Sequence, residues 1–173
     1  MGKGAKLRFV LRAWPCVFVL TVALSFLTQW VGSLCGIDFP EQPSLDLMKR
    51  MAGWNWNFVS LLAQVIVLAP VLEELFFRGV LFKLPVLGLR TLSTARQIVL
   101  SFAVLSSALF SAAHYILAPF PDNAFLALFF FGLAQCWIYR RTNAIWCAML
   151  NHVLFNATNL VLLFVLPLLG VDA

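Results

Sequence analysis

Ala69-Pro-Val-Leu-Glu-Glu-Leu-Phe-Phe-Arg-Gly79 sets two carboxylates and a guanidinium in the middle of a largely apolar run from Phe58 to Leu84. An ionisable side chain in hydrocarbon costs roughly 2.5–3.5 kcal/mol on insertion scales, so these three need each other or a water-filled cavity. On a helix, Glu74 and Arg78 are an i,i+4 pair and can neutralise one another. Glu73 is turned ~100° away and has no basic residue at three or four positions on either side. A Glu–Arg pair of this kind also serves as a plain structural clamp. Glu73 is therefore the candidate for chemistry.

Working outward, the 173 residues are 62% hydrophobic and 11% charged, with mean hydropathy +0.94. A soluble domain is about half apolar and about a quarter charged. The fold class is all-α, a polytopic transmembrane helix bundle of about five spans. Five apolar segments support it, at about Ala13–Leu34, Asn57–Phe82, Gln97–Leu117, Asn123–Tyr139 and Asn143–Leu166. Two regions follow. Residues 1–57 hold a basic segment, the first helix and an extracytoplasmic loop, and 58–173 hold a membrane core with the polar intramembrane residues.

The first apolar run follows Lys3, Lys6, Arg8 and Arg12, as a signal peptide's would. It exceeds the usual ~7–15-residue signal core and lacks a clean small-x-small exit, so it reads as a retained helix. Ser44 to Met51 suits a short interfacial helix, and Trp54 and Trp56 suit a membrane-interface belt. Pro70 removes the donor that would reach Ile66 in an α-helix, which predicts a kink beside the carboxylates. Pro119 and Pro121 end the third segment, and Arg140-Arg141 end the fourth.

Charge orients the bundle. The amino terminus, residues 83–96 and Arg140-Arg141 together carry nine of the twelve basic residues and no acid. Five alternating spans then place the amino terminus in the cytoplasm and the carboxyl terminus outside. The net charge of +5 thus speaks for membrane orientation, and no nucleic-acid partner is expected. Cys16 and Cys35 sit ~28 Å apart along one helix and cannot pair, and no cysteine has metal-ligand spacing.

The remaining strongly polar side chains inside the spans are chiefly His114, His152, Asn151, Asn156 and Asn159. His152 and Asn156 share a helix face, as do Phe110 and His114. Membrane histidines and asparagines often do no more than hydrogen-bond neighbouring helices. Together with an unpaired glutamate they suit hydrolysis. A glutamate with a histidine can take a proton from water, and a histidine with an amide can donate to a developing oxyanion. No G-x-S-x-G or H-E-x-x-H occurs. Glu73, His114 and His152 are also a two-histidine-plus-carboxylate set that could hold a metal such as zinc.

Glu73-Glu74-x-x-x-Arg78, Phe110-x-x-x-His114 and His152-x-x-x-Asn156, in that order on the second, third and fifth apolar segments, resemble the CPBP family. These are the type II CAAX prenyl endopeptidases and bacteriocin-processing, abortive-infection membrane proteases. The resemblance covers residues ~58–160, and the chain is little more than the family's catalytic core. It implies an intramembrane endopeptidase in which Glu73 and His114 activate water. His152 and Asn156 would stabilise the oxyanion, while Glu74 and Arg78 shape the site. Phe77 and Phe110 would line the substrate. No cofactor is expected, with zinc as the alternative. The implied partners are the lipid bilayer and a membrane-associated peptide or protein, in a bacterial plasma membrane.

Two rival readings stand beside this one. A non-catalytic membrane protein, such as a bacteriocin self-immunity factor, would use the same groups only to hold helices together. An ion pathway would want polar residues along the whole membrane depth, and here they cluster. One difficulty is depth. Glu73 and His152 lie ~14 Å from the cytoplasmic ends of their helices, whereas His114 lies ~25 Å from Gln97. The third helix must start below the hydrocarbon, or tilt, for His114 to meet the others.

Overall fold

A computed structural model describes residues 1–37, 39, 56–83, 95–117 and 124–168, and every element in them is helical. The helices are α1 (Lys3–Leu34), α2 (Trp56–Lys83), α3 (Ala95–Leu117), α4 (Ala124–Thr142) and α5 (Ile145–Leu168). The Ser44–Met51 helix, Trp54, residues 84–94, Pro119 and Pro121 lie outside the described residues. The four cysteines are unpaired, Cys16 and Cys35 exposed and Cys136 and Cys147 buried.

Four of the helices are long and apolar enough to cross a membrane: Lys3–Leu34, Trp56–Lys83, Val99–Ile116 and Ile145–Phe164. The chain is an integral membrane helix bundle. In α4, Gly, Gln, Cys and two arginines dilute the apolar residues. Its buried positions, from Ala124 through Phe131, Gln135 and Ile138 to Thr142, recur on more than one face. It packs against α1, α3 and α5 and also touches α2. Its faces toward these helices are buried, while Phe125, Leu126, Phe130 and Trp137 are exposed.

α1 begins within the basic amino terminus, ten residues ahead of the apolar run. Lysine and arginine are good helix formers, so the helix continues past the hydrocarbon edge. Val10, Ala13 and Val17 join Phe77, Phe110, Phe131, Ile138 and Cys147 in the main core cluster. α4 likewise runs through Arg140-Arg141, which suit the negative end of the helix dipole. It stops at Asn143, whose φ of 49° is left-handed, a conformation that asparagine tolerates better than most residues.

Direct contacts fix the directions. Ser106 Oγ donates to Phe77 O (2.7 Å), and Phe82 clusters with Val99 and Ala103, so α2 and α3 are antiparallel. The start of α3 therefore lies level with the end of α2. That arrangement carries His114 to the depth of Glu73 and removes the discrepancy met in the sequence.

Serine and glycine set the α3–α4 spacing. A Cβ on Gly132 would lie 2.9 Å from Ser107 Cβ, so only glycine permits this approach. On the other side of α4, Phe131 and Phe155 stack at 4.5 Å, while Ile138 and Cys147 share the core cluster. Gln135 and Asn151 each lie between those two contacts along their own helices. Both amides are fully buried and have no hydrogen-bond partner.

Candidate active site

α2 is not one regular helix. An α segment, Ala69–Glu74, is bracketed by π-helical turns at Gln64–Leu68 and Leu75–Lys83. Such turns recur at functional sites because they reset which face a side chain leaves from. The sequence predicts that Pro70 leaves the Ile66 carbonyl without its donor. In the π register the affected carbonyl is Val65, one residue earlier, because the bonds there span five residues rather than four. Val65 O accepts from Asn156 Nδ2 at 2.9 Å.

Glu74 and Arg78 are both 0% exposed, with Arg78 Nε 3.2 Å from Glu74 Oε2. Arg78 Nη2 donates to Gly132 O (3.1 Å), and its guanidinium lies 4.6 Å from the centroid of the Phe110 ring. Charge, hydrogen bond and aromatic face together make this buried cation tolerable. Glu74 Oε1 also holds His152 Nδ1 at 3.0 Å.

Glu73 points elsewhere. It is 26% exposed, and its Oε2 lies 3.8 Å from His114 Nε2 and 3.7 Å from His152 Nε2. These separations exceed a direct hydrogen bond and suit bridging by one water. Glu73 Oε2 itself is buried and has no hydrogen-bond partner.

The ring protons can be placed. His114 Nδ1 lies 2.9 Å from the Phe110 carbonyl, which can only accept, so Nδ1 carries the hydrogen. His152 Nδ1 donates to the Glu74 carboxylate by the same reasoning. In the neutral rings both Nε2 atoms are then acceptors turned toward Glu73. Three acceptors facing one another leave a slot that fits a hydrogen donor, and water is the smallest.

The aromatic residues back this site. Phe110 contacts both rings, with centroids 4.4 Å from His114 and 5.9 Å from His152, and Phe131 meets His152 edge-on at 4.8 Å. Phe77 meets Phe110 edge-on at 5.2 Å. Phe77 and Phe110, expected to line the substrate, are buried against Arg78 and the histidines in this arrangement.

The structure thus gathers Glu73, His114 and His152 at one point and Glu74, Arg78 and His152 at the next. It puts Asn156 on the backbone of α2. Asn159 bonds its own helix at Phe155 O. Phe131, Gly132 and Gln135 were not singled out from the sequence. Gln135 could have been, as the one amide in the apolar stretch of α4.

The metal reading can be tested on these distances. A tetrahedral zinc site has ligand distances of about 2.0–2.2 Å, hence ligand–ligand edges of about 3.4 Å. The separations from Glu73 Oε2 are longer. Among the described residues, no three His, Cys, Asp or Glu side chains form a set that could hold a metal ion. The residues do not fit a zinc site as they stand.

Residues 55–158 match the family model described as type II CAAX prenyl endopeptidase Rce1-like. No curated protein matches the chain. No solved structure matches it either.

Proposed function

The chain belongs to the type II CAAX prenyl endopeptidase Rce1-like family, and on that premise we propose an intramembrane endopeptidase working by glutamate- and histidine-activated water. Its substrate is a membrane-associated peptide or protein, such as a lipidated carboxyl terminus, a leader peptide or a sorting helix. The supporting observation is the buried, unpartnered Oε2 of Glu73 facing two imidazole nitrogens.

A water between Glu73 Oε2 and His114 Nε2 gives one hydrogen to each and turns a lone pair toward the scissile carbonyl. As the new C–O bond forms, Glu73 takes the water's proton, and the carbonyl oxygen becomes negative. His152, when both ring nitrogens are protonated, donates from Nε2 to that oxygen. Glu74 on its Nδ1 orients the ring and balances its charge. Asn156, the second donor implied by the resemblance, bonds Val65 O of α2 in this arrangement. The proton held by Glu73 passes to the leaving nitrogen, and the C–N bond breaks. Arg78 holds the Glu74 carboxylate in place.

The reading is metal-free, supported by the ligand spacing. A zinc-dependent version would use Glu73, His114 and His152 and would stop on chelation. We take the amino terminus as cytoplasmic and the carboxyl terminus as extracytoplasmic, in a bacterial plasma membrane, from the distribution of basic residues. A self-immunity factor without activity would account for the buried Glu74–Arg78–His152 clamp but leaves Glu73 without a task. Incubating purified protein with membrane-anchored peptides, with and without a chelator, tests both questions. Cleavage that survives chelation is expected. No cleavage of any prenylated, leader or sorting peptide would overturn the enzyme reading.

A further inference from the structure

Val65 O is the one carbonyl of α2 whose donor Pro70 removes. In the Gln64–Leu68 turn the Ala69 N–H reaches Gln64 O, five residues back. The next bond in this register would run from residue 70 to Val65 O, and proline has no N–H. Asn156 Nδ2 fills that position at 2.9 Å, from a residue 91 positions along the chain. α5 therefore grips α2 at two heights one turn apart on its own face. Asn156 holds Val65 before Pro70, and His152 holds Glu74 after it.

We propose that Asn156 is a positioning residue acting through the Val65 carbonyl. It supplies the donor that Pro70 cannot, holds the π-turn, and so sets the rotation at which Glu73 meets the two histidines. The inference rests on Glu73 being the base. An extra residue in one turn rotates everything that follows by ~100°. Closing the turn to α geometry would swing Glu73 off the ring nitrogens now 3.7 and 3.8 Å away. Misplacing a reacting group by about 1 Å can cost about 10²-fold in rate. One hydrogen of the Asn156 amide is committed to the backbone, so at most one remains for substrate.

The test is a double-mutant cycle of Asn156→Ala and Pro70→Ala, read by peptide cleavage and by melting temperature in the same detergent. Asn156→Ala alone should lose about 10²-fold in activity and melt at lower temperature, because a buried carbonyl is left bare. Pro70→Ala gives position 70 an N–H. Val65 O then has a backbone donor whether the turn stays π or reverts to α. In that background Asn156→Ala should leave the melting temperature nearly unchanged. Where Pro70→Ala keeps activity, the further loss should be much smaller than in the wild type.

Equal losses of melting temperature in both backgrounds would overturn the proposal, and so would an Asn156→Ala protein indistinguishable from wild type. A melting cycle that couples while the activity loss is identical in both backgrounds would make Asn156 a direct donor to substrate, against the proposal. Full activity in a folded Glu73→Gln protein would remove the base assignment yet leave the melting cycle readable, so the two failures are distinguishable.

Discussion

Replacing Glu73 by glutamine separates chemistry from architecture in a single side chain. In the wild type, Oε2 faces two imidazole acceptors at 3.7 and 3.8 Å and has no hydrogen-bond partner. An amide nitrogen there can donate to one or both ring nitrogens. Each hydrogen bond gained contributes about 0.5–1.5 kcal/mol, so Glu73→Gln should be as stable as wild type or melt up to about 2–6 °C higher. The same change removes the one carboxylate that, among the described residues, faces both histidines, and loss of a general base costs about 10²–10⁴-fold in rate. Glu74→Gln is the contrast. It leaves the fully buried Arg78 without its counter-charge, which costs about 3–5 kcal/mol, or roughly 6–20 °C of melting temperature at this size. Activity on a membrane-anchored peptide and melting in detergent should be measured on the same preparations. Two results would refute the reasoning: a folded Glu73→Gln protein with full activity, or a Glu74→Gln protein that melts with wild type.

Three further outcomes are expected. Cysteine-accessibility labelling should find residues 83–96 and 140–141 on one side of the membrane and 36–53 on the other; all three on one side would sink the five-crossing arrangement. Gly132→Val should force α3 and α4 apart at Ser107 and draw Gly132 O from Arg78, costing about 1–3 kcal/mol by overpacking; an unchanged melting temperature would contradict the close approach. Gln135→Leu and Asn151→Leu each remove a buried amide that has no hydrogen-bond partner, so each should leave the melting temperature unchanged or raise it; a clear drop in either variant would show that the amide is paired in the folded protein.

The five helices are legible in the sequence because lipid demands long apolar segments, and length and hydropathy are local properties. Glu74 and Arg78 show as a pair because helical spacing alone brings them together. What the sequence misplaces depends on partners far along the chain. The carbonyl affected by Pro70 moves from Ile66 to Val65 because Asn156, on α5, stabilises a five-residue turn. The end of α4 moves past Arg140-Arg141 because arginine tolerates a helix end, and the left-handed backbone of Asn143 is what stops it. The depth of His114 is unreadable from one helix, since it depends on where α3 starts relative to Phe82. Gln135 escapes notice because its burial depends on the helices packed around α4, which its own segment does not show. A residue's helix can be read locally, whereas its opposite number cannot.

The direction of α4 has a consequence for parity. Ser111 Oγ donates to Phe125 O and Ser107 abuts Gly132, so α3 and α4 run in opposite senses, as do α4 and α5. Phe9 meets Trp137 while Phe18 meets Phe155, which makes α1 antiparallel to α4 and parallel to α5. The first residue of α1 and the last of α5 therefore lie at opposite ends of the bundle. Four helices are each long and apolar enough to cross, and an even number would return the chain to its starting side. We propose that α4 crosses as well and makes the number odd. A reporter fused beyond α5 should then sample the compartment opposite to that of the first residue of α1, and both ends found on one side would show that α4 does not cross.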